Sequence, residues 1–225
     1  MNFNRYKTVI FARSLDSQMK IVVISDTHNN HKNLSFPDGD LLIHCGDITQ
    51  DGSKKQTEDF LLWFHKLSFK FKIFIGGNHD KYLEENDGEI AKNLSENIFY
   101  LRDSSKEIMG KVFWGSPYTP AYKNMAFNKE RTQEMKSHWD KIPENIDVLI
   151  THGPPADILD RTYKGVSVGC RHLKVKTFKI KPKFHFFGHI HESRGRTNRN
   201  GTIFYNAALA NKEKKIINSP IQFTL

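Results

Sequence analysis

The chain has 225 residues, 38% of them hydrophobic and 26% charged, which suits one soluble domain and excludes a disordered, fibrous or two-domain chain. No apolar run is long enough to cross a bilayer or form a secretory core, and two cysteines, Cys45 and Cys170, are too few for a disulfide framework, so a reduced, cytoplasmic setting is expected. The net charge of +9 is concentrated: residues 161–200 carry eleven Lys or Arg against the single acid Glu192, a local +10 that is either a solvated face or a field for anions.

In chain order, residues 1–18 read as an N-terminal extension, because Met19-Lys20 leads directly into the first core segment. Residues 19–225 read as one domain. Residues 21–25 (IVVIS) are a β-branched run, as expected of a strand buried on both faces. Residues 41–44 read likewise. Over 57–67, Phe60, Leu61, Phe64 and Leu67 fall at helical spacing, with Thr57 and Asp59 placed to cap the first turn. Strands are predicted at 72–75, 111–114 and 147–151, a helix over 128–138 and another over 168–178. Further strands are expected at 184–187 and 202–205. Strands alternating with helices predict an α/β layered fold.

Five of the strands end in polar segments that carry metal-ligating side chains. These are Asp26-Thr27-His28, Gly46-Asp47, Gly77-Asn78-His79-Asp80, His152-Gly153 and Gly188-His189-Ile190-His191. In open α/β sheets the carboxyl ends of strands line one crevice, so five such ends can converge. In extended chain, residues two apart point the same way, so Asp26 and His28 can reach one ion, as can His189 and His191. Glycines at 46, 76, 77, 153 and 188 let the backbone turn and approach the cluster. Imidazole, carboxylate and amide oxygen together suit divalent metals, and a shareable carboxylate suits two ions roughly 3.5–4 Å apart. Two dications, less Asp26, Asp47 and a bridging hydroxide, leave the centre positive and able to hold a phosphate. Taken singly, Asp-x-His or Gly-Asn-His-Asp would be an ordinary turn. The argument lies in five pieces, each after a buried strand. His31, His44, His65, His138, His172 and His185 have no comparable context and read as structural or surface residues.

This ordered set resembles the calcineurin-like metallophosphoesterase superfamily. Within it the chain is most similar to the small metallophosphoesterase-domain (MPPED-type) phosphodiesterases, through Ser25-Asp26-Thr27-His28, residues 39–44, Asp47-Ile48-Thr49 with Gly52, and residues 165–173. The resemblance implies a four-layer α/β/β/α sandwich with a dimetal site at the strand ends. Asp26, His28, Asp47 and His191 would hold one ion and Asp47, Asn78, His152 and His189 the other, with Asp47 bridging. It further implies that His79 protonates the leaving oxygen or stabilises the phosphate, and that Asp80 orients His79. The two divalent ions could be Mn²⁺, Fe²⁺/³⁺, Zn²⁺, Ni²⁺ or Mg²⁺, with Mn²⁺ the expected choice in vitro. Some MPPED-type proteins have lost one histidine of the Gly-His-x-His pair and turn over little; here both are present. The protein-phosphatase branch is disfavoured, because its Gly-Asp-x-x-Asp-Arg-Gly pattern is absent at residues 46–52 and its Gly-Asn-His-Glu reads Gly-Asn-His-Asp.

Three functions follow from this. The first is hydrolysis of small phosphodiesters, cyclic nucleotides included, by in-line attack of a metal-bridging hydroxide. The second, prompted by the basic stretch, is a nuclease or RNA-end-processing enzyme; nucleic acid is not the favoured partner, since no nucleic-acid module is recognisable and Phe178, Phe184, Phe186 and Phe187 read as core. The third is a non-catalytic scaffold, which usually goes with lost ligands. No membrane partner is expected, and the oligomeric state is not legible.

Overall fold

The computed structural model describes residues 18–225, so the expected extension lies outside the described residues apart from Gln18. Along the chain come β1 (Lys20–Ile24), β2 (Leu41–His44), α1 (Lys54–Lys66), β3 (Phe71–Phe74), α2 (Lys81–Lys92), β4 (Ile98–Tyr100), β5 (Ser104–Ile108) and β6 (Lys111–Ser116). A short pair, β7 (Thr119–Pro120) and β8 (Asn128–Lys129), precedes α3 (Gln133–Asp140), β9 (Val148–Thr151), α4 (Arg171–Ile180) and β10 (Phe184–Phe187). The last strands are β11 (Gly195–Arg199), β12 (Thr202–Asn206) and β13 (Ile221–Thr224).

Two sheets result. The first has the order β13-β1-β2-β3-β4, and the second β11-β12-β10-β9-β6-β5. In both, the inner strands run parallel and an antiparallel strand, β13, β11 or β5, closes an edge. The alternation of side chains along each strand builds the layers. On β1, Ile21 and Val23 point inward with Leu41, Ile43 and Ile73 to meet Phe113, Val148, Ile150, Phe184 and Phe186 of the second sheet. Val22 and Ile24 point the other way, with Leu42 and Phe74, onto Phe60 and Phe64 of α1 and Leu83 and Ile90 of α2. Leu149 and Trp114 do the same on the far side against Met135 and Trp139 of α3 and Leu173 of α4. The architecture is a four-layer α/β/β/α sandwich, as the resemblance implied.

Several boundaries differ from expectation for local reasons. The first helix starts at Lys54 rather than Thr57, because Ser53 is the cap and its hydroxyl accepts from Gln56 N at 3.4 Å. Thr57 instead donates to Ser53 O at 3.1 Å, and Asp59 faces His31 and Lys32. The helix expected over 128–138 begins at Gln133: Thr132 caps it, and Asn128 and Lys129 pair with β7. The helix expected from 168 starts at Arg171, since the Asp160 carboxylate holds Gly169 N at 2.9 Å and Cys170 is the cap. Helix α2 was not expected. It buries only Leu83 and Ile90 and is kinked at Asn86, too sparse a pattern to read. Lys72 is buried in β3, where its ammonium donates to His65 O (3.0 Å) and Leu67 O (2.9 Å) at the carbonyl end of α1. A cation there meets the negative end of the helix dipole and satisfies acceptors the helix leaves free.

Candidate metal centre

The parallel strands of both sheets point their carboxyl ends the same way, and the chain leaves each ladder just before a polar residue. Asp26 and His28 follow β1, Asp47 follows β2, Asn78 and His79 follow β3, His152 follows β9, and His189 and His191 follow β10. Several of these positions are held by unusual backbone. Asp26 (φ 58°), His28 (φ 42°), Asp47 (φ 56°) and His189 (φ 67°) all adopt the left-handed region. A non-glycine residue there costs about 1–2 kcal/mol, so the surrounding fold must hold it. Two glycines show how closely the strands approach. A Cβ on Gly188 would overlap the Asp26 carboxylate, and one on Gly77 would overlap Asp47.

The side chains converge. Three groups, Asp26–His28–His191, His28–Asp47–His79 and Asp47–His152–His189, each bring one ligand atom per residue within 4.8 Å of the others. His191 Nε2 lies 3.3 Å from both Asp26 Oδ1 and His28 Nε2. His152 Nε2 lies 3.2 Å from Asp47 Oδ1 and 3.0 Å from Asn78 Oδ1. Asp47 Oδ2 turns the other way, 3.8 Å from His28 Nε2. Four rings are tethered at Nδ1 by backbone carbonyls: His28 by Thr49 (3.3 Å), His79 by Gln50 (2.9 Å), His152 by Cys45 (2.9 Å) and His191 by Asn211 (2.8 Å). A ring that donates from Nδ1 keeps an unprotonated Nε2 for a metal or a substrate.

Residues 19–193 match the family described as calcineurin-like phosphoesterase. The chain is 36% identical to UPF0046 protein K07C11.7 of Caenorhabditis elegans over 218 residues, covering 91% of this chain and 74% of that protein. It is 33% identical to human metallophosphoesterase domain-containing protein 1 over 230 residues, covering 92% of this chain and 71% of that protein.

The chain belongs to the calcineurin-like phosphoesterases.

The fold is shared with the crystal structure of TT1561 of Thermus thermophilus, at 11% identity and a TM-score of 0.56, over 84% of this chain and 89% of that one. Membership of the calcineurin-like phosphoesterases supports metal-dependent hydrolysis of phosphate esters as the activity class. Among the described residues no helix is long and apolar enough to cross a membrane.

The electrostatics fit divalent ions. Burial pushes the Asp26 carboxyl up, but the hydrogen bond and charge of His191 outweigh it and hold the group well below the usual carboxylate range. Burial likewise opposes the Asp47 charge, and His152 more than restores it. In return, Asp47 lifts His152 and Asp26 lifts His191, each against burial, to about 9. His28 and His189 are pushed down by burial to about 4. Two buried carboxylates thus draw positive charge into a ring of imidazoles, and the donor set of imidazole nitrogen, carboxylate and amide oxygen suits divalent metals.

One implied role changes. The Asp80 carboxylate does not meet the His79 ring; it accepts from Ile48 N (3.2 Å), Thr49 N (2.9 Å), Thr49 Oγ1 (2.8 Å) and Gly77 N (2.7 Å). It fastens the turn that carries Asp47 to the turn that carries Asn78, and the Gln50 carbonyl orients His79 in its place. Burial, then the charge of Asp47, raise Asp80 to about 7. Sequence reasoning also passed over Asn211 and Lys214, the second with its amine 3.3 Å from His79 Nδ1. Both sit in a turn after β12 whose sequence carries no recognisable pattern.

Proposed function

We propose that the chain hydrolyses small phosphodiesters, cyclic nucleotides among them, with two divalent ions held by its own side chains. The observation that best supports this is Asp47, whose two oxygens reach toward His152 at 3.2 Å and His28 at 3.8 Å, so that one carboxylate spans two imidazole groups. On this reading Asp26, His28, Asp47 and His191 hold one ion, and Asp47, Asn78, His152 and His189 the other. Two such ions, when bound, supply Lewis acidity at phosphorus and acidify a nucleophilic water.

The protein's own part is positioning and proton transfer. The carbonyls of Thr49, Cys45 and Asn211 fix the rings of His28, His152 and His191. His79 is more open than Asp26, His28, Asp47 or His152. With Nδ1 engaged by Gln50 O, its Nε2 is left to hold or hand over a proton at the leaving oxygen. The nuclease alternative draws on the basic stretch, yet Lys174 pairs with Asp157 (2.9 Å), Lys179 pairs with Glu144 (2.8 Å), and Phe184, Phe186 and Phe187 are buried. The test is release of nitrophenolate from bis-p-nitrophenyl phosphate after chelator-treated protein is given Mn²⁺, followed by a panel of 2′,3′- and 3′,5′-cyclic nucleotides and short oligonucleotides. No turnover with Mn²⁺, Fe²⁺, Zn²⁺, Ni²⁺ or Mg²⁺ would end the enzyme reading.

A further inference from the structure

A turn far along the chain brings a lysine to the rim of the centre. Asn211 N donates to Lys215 O (2.9 Å) and Lys214 N to Asn211 O (2.9 Å), while Glu213 N and Lys215 N both donate to Asn211 Oδ1 (3.1 and 3.0 Å). Asn30, just past β1, donates from Nδ2 to Lys214 O at 3.1 Å. So held, Lys214 takes φ 60°, a left-handed conformation that a lysine adopts only under constraint. The constraint aims its half-buried side chain across the rim, with Nζ 3.3 Å from His79 Nδ1.

Among the described residues no carboxylate touches this ammonium, and the charge of Asp47 reaches it only from beyond salt-bridge distance. Among the described residues Lys214 makes no salt bridge, whereas Lys212 in the same turn pairs with Glu213 at 3.5 Å. His79 Nδ1 is a poor acceptor, because the same nitrogen lies 2.9 Å from Gln50 O and, donating there, has no lone pair left. A partly desolvated cation with no anion in contact is poorly compensated unless a ligand supplies one. The rim position, beside the residue that faces the leaving group, says which ligand that is.

We infer that Lys214 is a substrate-binding residue whose ammonium donates to a phosphoryl oxygen of the ester, on the His79 side of the centre. The inference rests on the phosphoesterase reading above and deepens it. A monoester dianion brings one more negative charge than a diester, so Lys214 contributes more to monoesters and sets how well the site tolerates them.

The experiment compares wild type, Lys214→Gln and Lys214→Arg, each loaded with Mn²⁺. It measures bound Mn²⁺, the affinity for inorganic phosphate by calorimetry, and kcat/KM on p-nitrophenyl phosphate and bis-p-nitrophenyl phosphate. Lys214→Gln should keep the wild-type metal content and bind phosphate about tenfold more weakly, the loss expected for one charge-assisted hydrogen bond. Its kcat/KM should fall more for the monoester than for the diester, and Lys214→Arg should recover most of both losses. Phosphate affinity within twofold of wild type in the Gln variant would overturn the inference. So would loss of Mn²⁺, which would mean that the residue serves only to hold the turn and, through Asn211, His191. Should wild type bind phosphate but turn over neither ester, the hydrolase reading falls while the phosphate titration still decides the role of Lys214.

Discussion

The two sheets supply unlike halves of the centre. From the strand ends of the first come both carboxylates, Asp26 and Asp47, together with Asn78, His28 and His79. The second contributes His152, His189 and His191, and the turn after β12 adds Lys214. All the negative charge lies on one side, and the two closest carboxylate–imidazole pairs, Asp47–His152 and Asp26–His191, both cross between sheets. The same interface is closed beneath them by apolar side chains of both sheets. The hydrophobic docking that makes the sandwich is therefore also what assembles the donor set. An ion bound there would recognise only the docked form, and would stabilise the fold by mass action.

The largest expected effect comes from removing the residue that joins the halves. Asp47→Ala deprives His28 and His152 of their shared partner, and on the proposed two-ion reading should lose both ions and lower turnover more than about 10³-fold. Metal analysis together with bis-p-nitrophenyl phosphate hydrolysis checks it. Retention of one tightly bound ion would show that the halves bind independently. His79→Ala should leave the metal content unchanged and lower kcat by about 10²–10⁴, less for nitrophenolate esters, which need less protonation of the leaving group. His79 also falls within 4.8 Å of His28 and Asp47, so loss of metal in this variant would make it a ligand instead.

The same contrast explains what was legible beforehand. The convergence of Asp26, His28, Asp47, Asn78, His152, His189 and His191 was readable because each sits just past an apolar strand, and the strand both buries itself and delivers the next residue to the crevice. The layer order followed from the resemblance, and the burial of alternate residues accounts for it physically. The tethers were not readable. They are backbone carbonyls of Cys45, Thr49, Gln50 and Asn211, and any residue type has a carbonyl. Lys214 was hidden for a related reason: its aim depends on a turn fixed from Asn30, 184 positions away. Asp80 misled because it neighbours His79 in sequence while its carboxylate points back into the loops.

Asp80 therefore belongs to stability and to the first sheet's half of the centre. Asp80→Ala would leave the amides of Ile48, Thr49 and Gly77 without their acceptor, and should destabilise the fold by about 3–5 kcal/mol in urea unfolding. By loosening the turns that carry Asp47 and Asn78, it should also weaken metal binding by about 10–100-fold. Asp80→Asn sheds a charge that burial and Asp47 disfavour and keeps one acceptor oxygen, but its Nδ2 faces two of the donors that the carboxylate accepts from, so it should recover only part of both losses. Equal losses in the two variants would mean that one acceptor oxygen is not enough to hold the two turns together.

The smallest effect tests a pair of histidines that the sheets share. His44 in β2 and His185 in β10 are fully buried, and each ring nitrogen Nε2 meets a threonine hydroxyl, Thr27 at 2.9 Å and Thr151 at 2.8 Å. Burial pushes both down to about 3, against an ordinary value of 6.5. Both are thus neutral when folded, and their contribution is fully present above pH 6.5. As the pH falls from there toward 3, the unfolded chain takes up two protons that the folded chain refuses, and each histidine costs up to about 1.4 kcal/mol per pH unit. The two differ in what else they hold. His44 Nδ1 accepts from Gly46 N at 3.2 Å, beside Asp47, whereas His185 Nδ1 has no partner among the described residues. His185→Phe should accordingly fold normally and remove one histidine's share of the acid slope of stability. His44→Phe should remove the same share of the slope yet cost a further 1–3 kcal/mol or so at neutral pH, because the Gly46 amide is left unpaired beneath the centre. Matching stabilities for the two variants at pH 7.5 would mean that the Gly46 contact contributes nothing to holding the Asp47 turn.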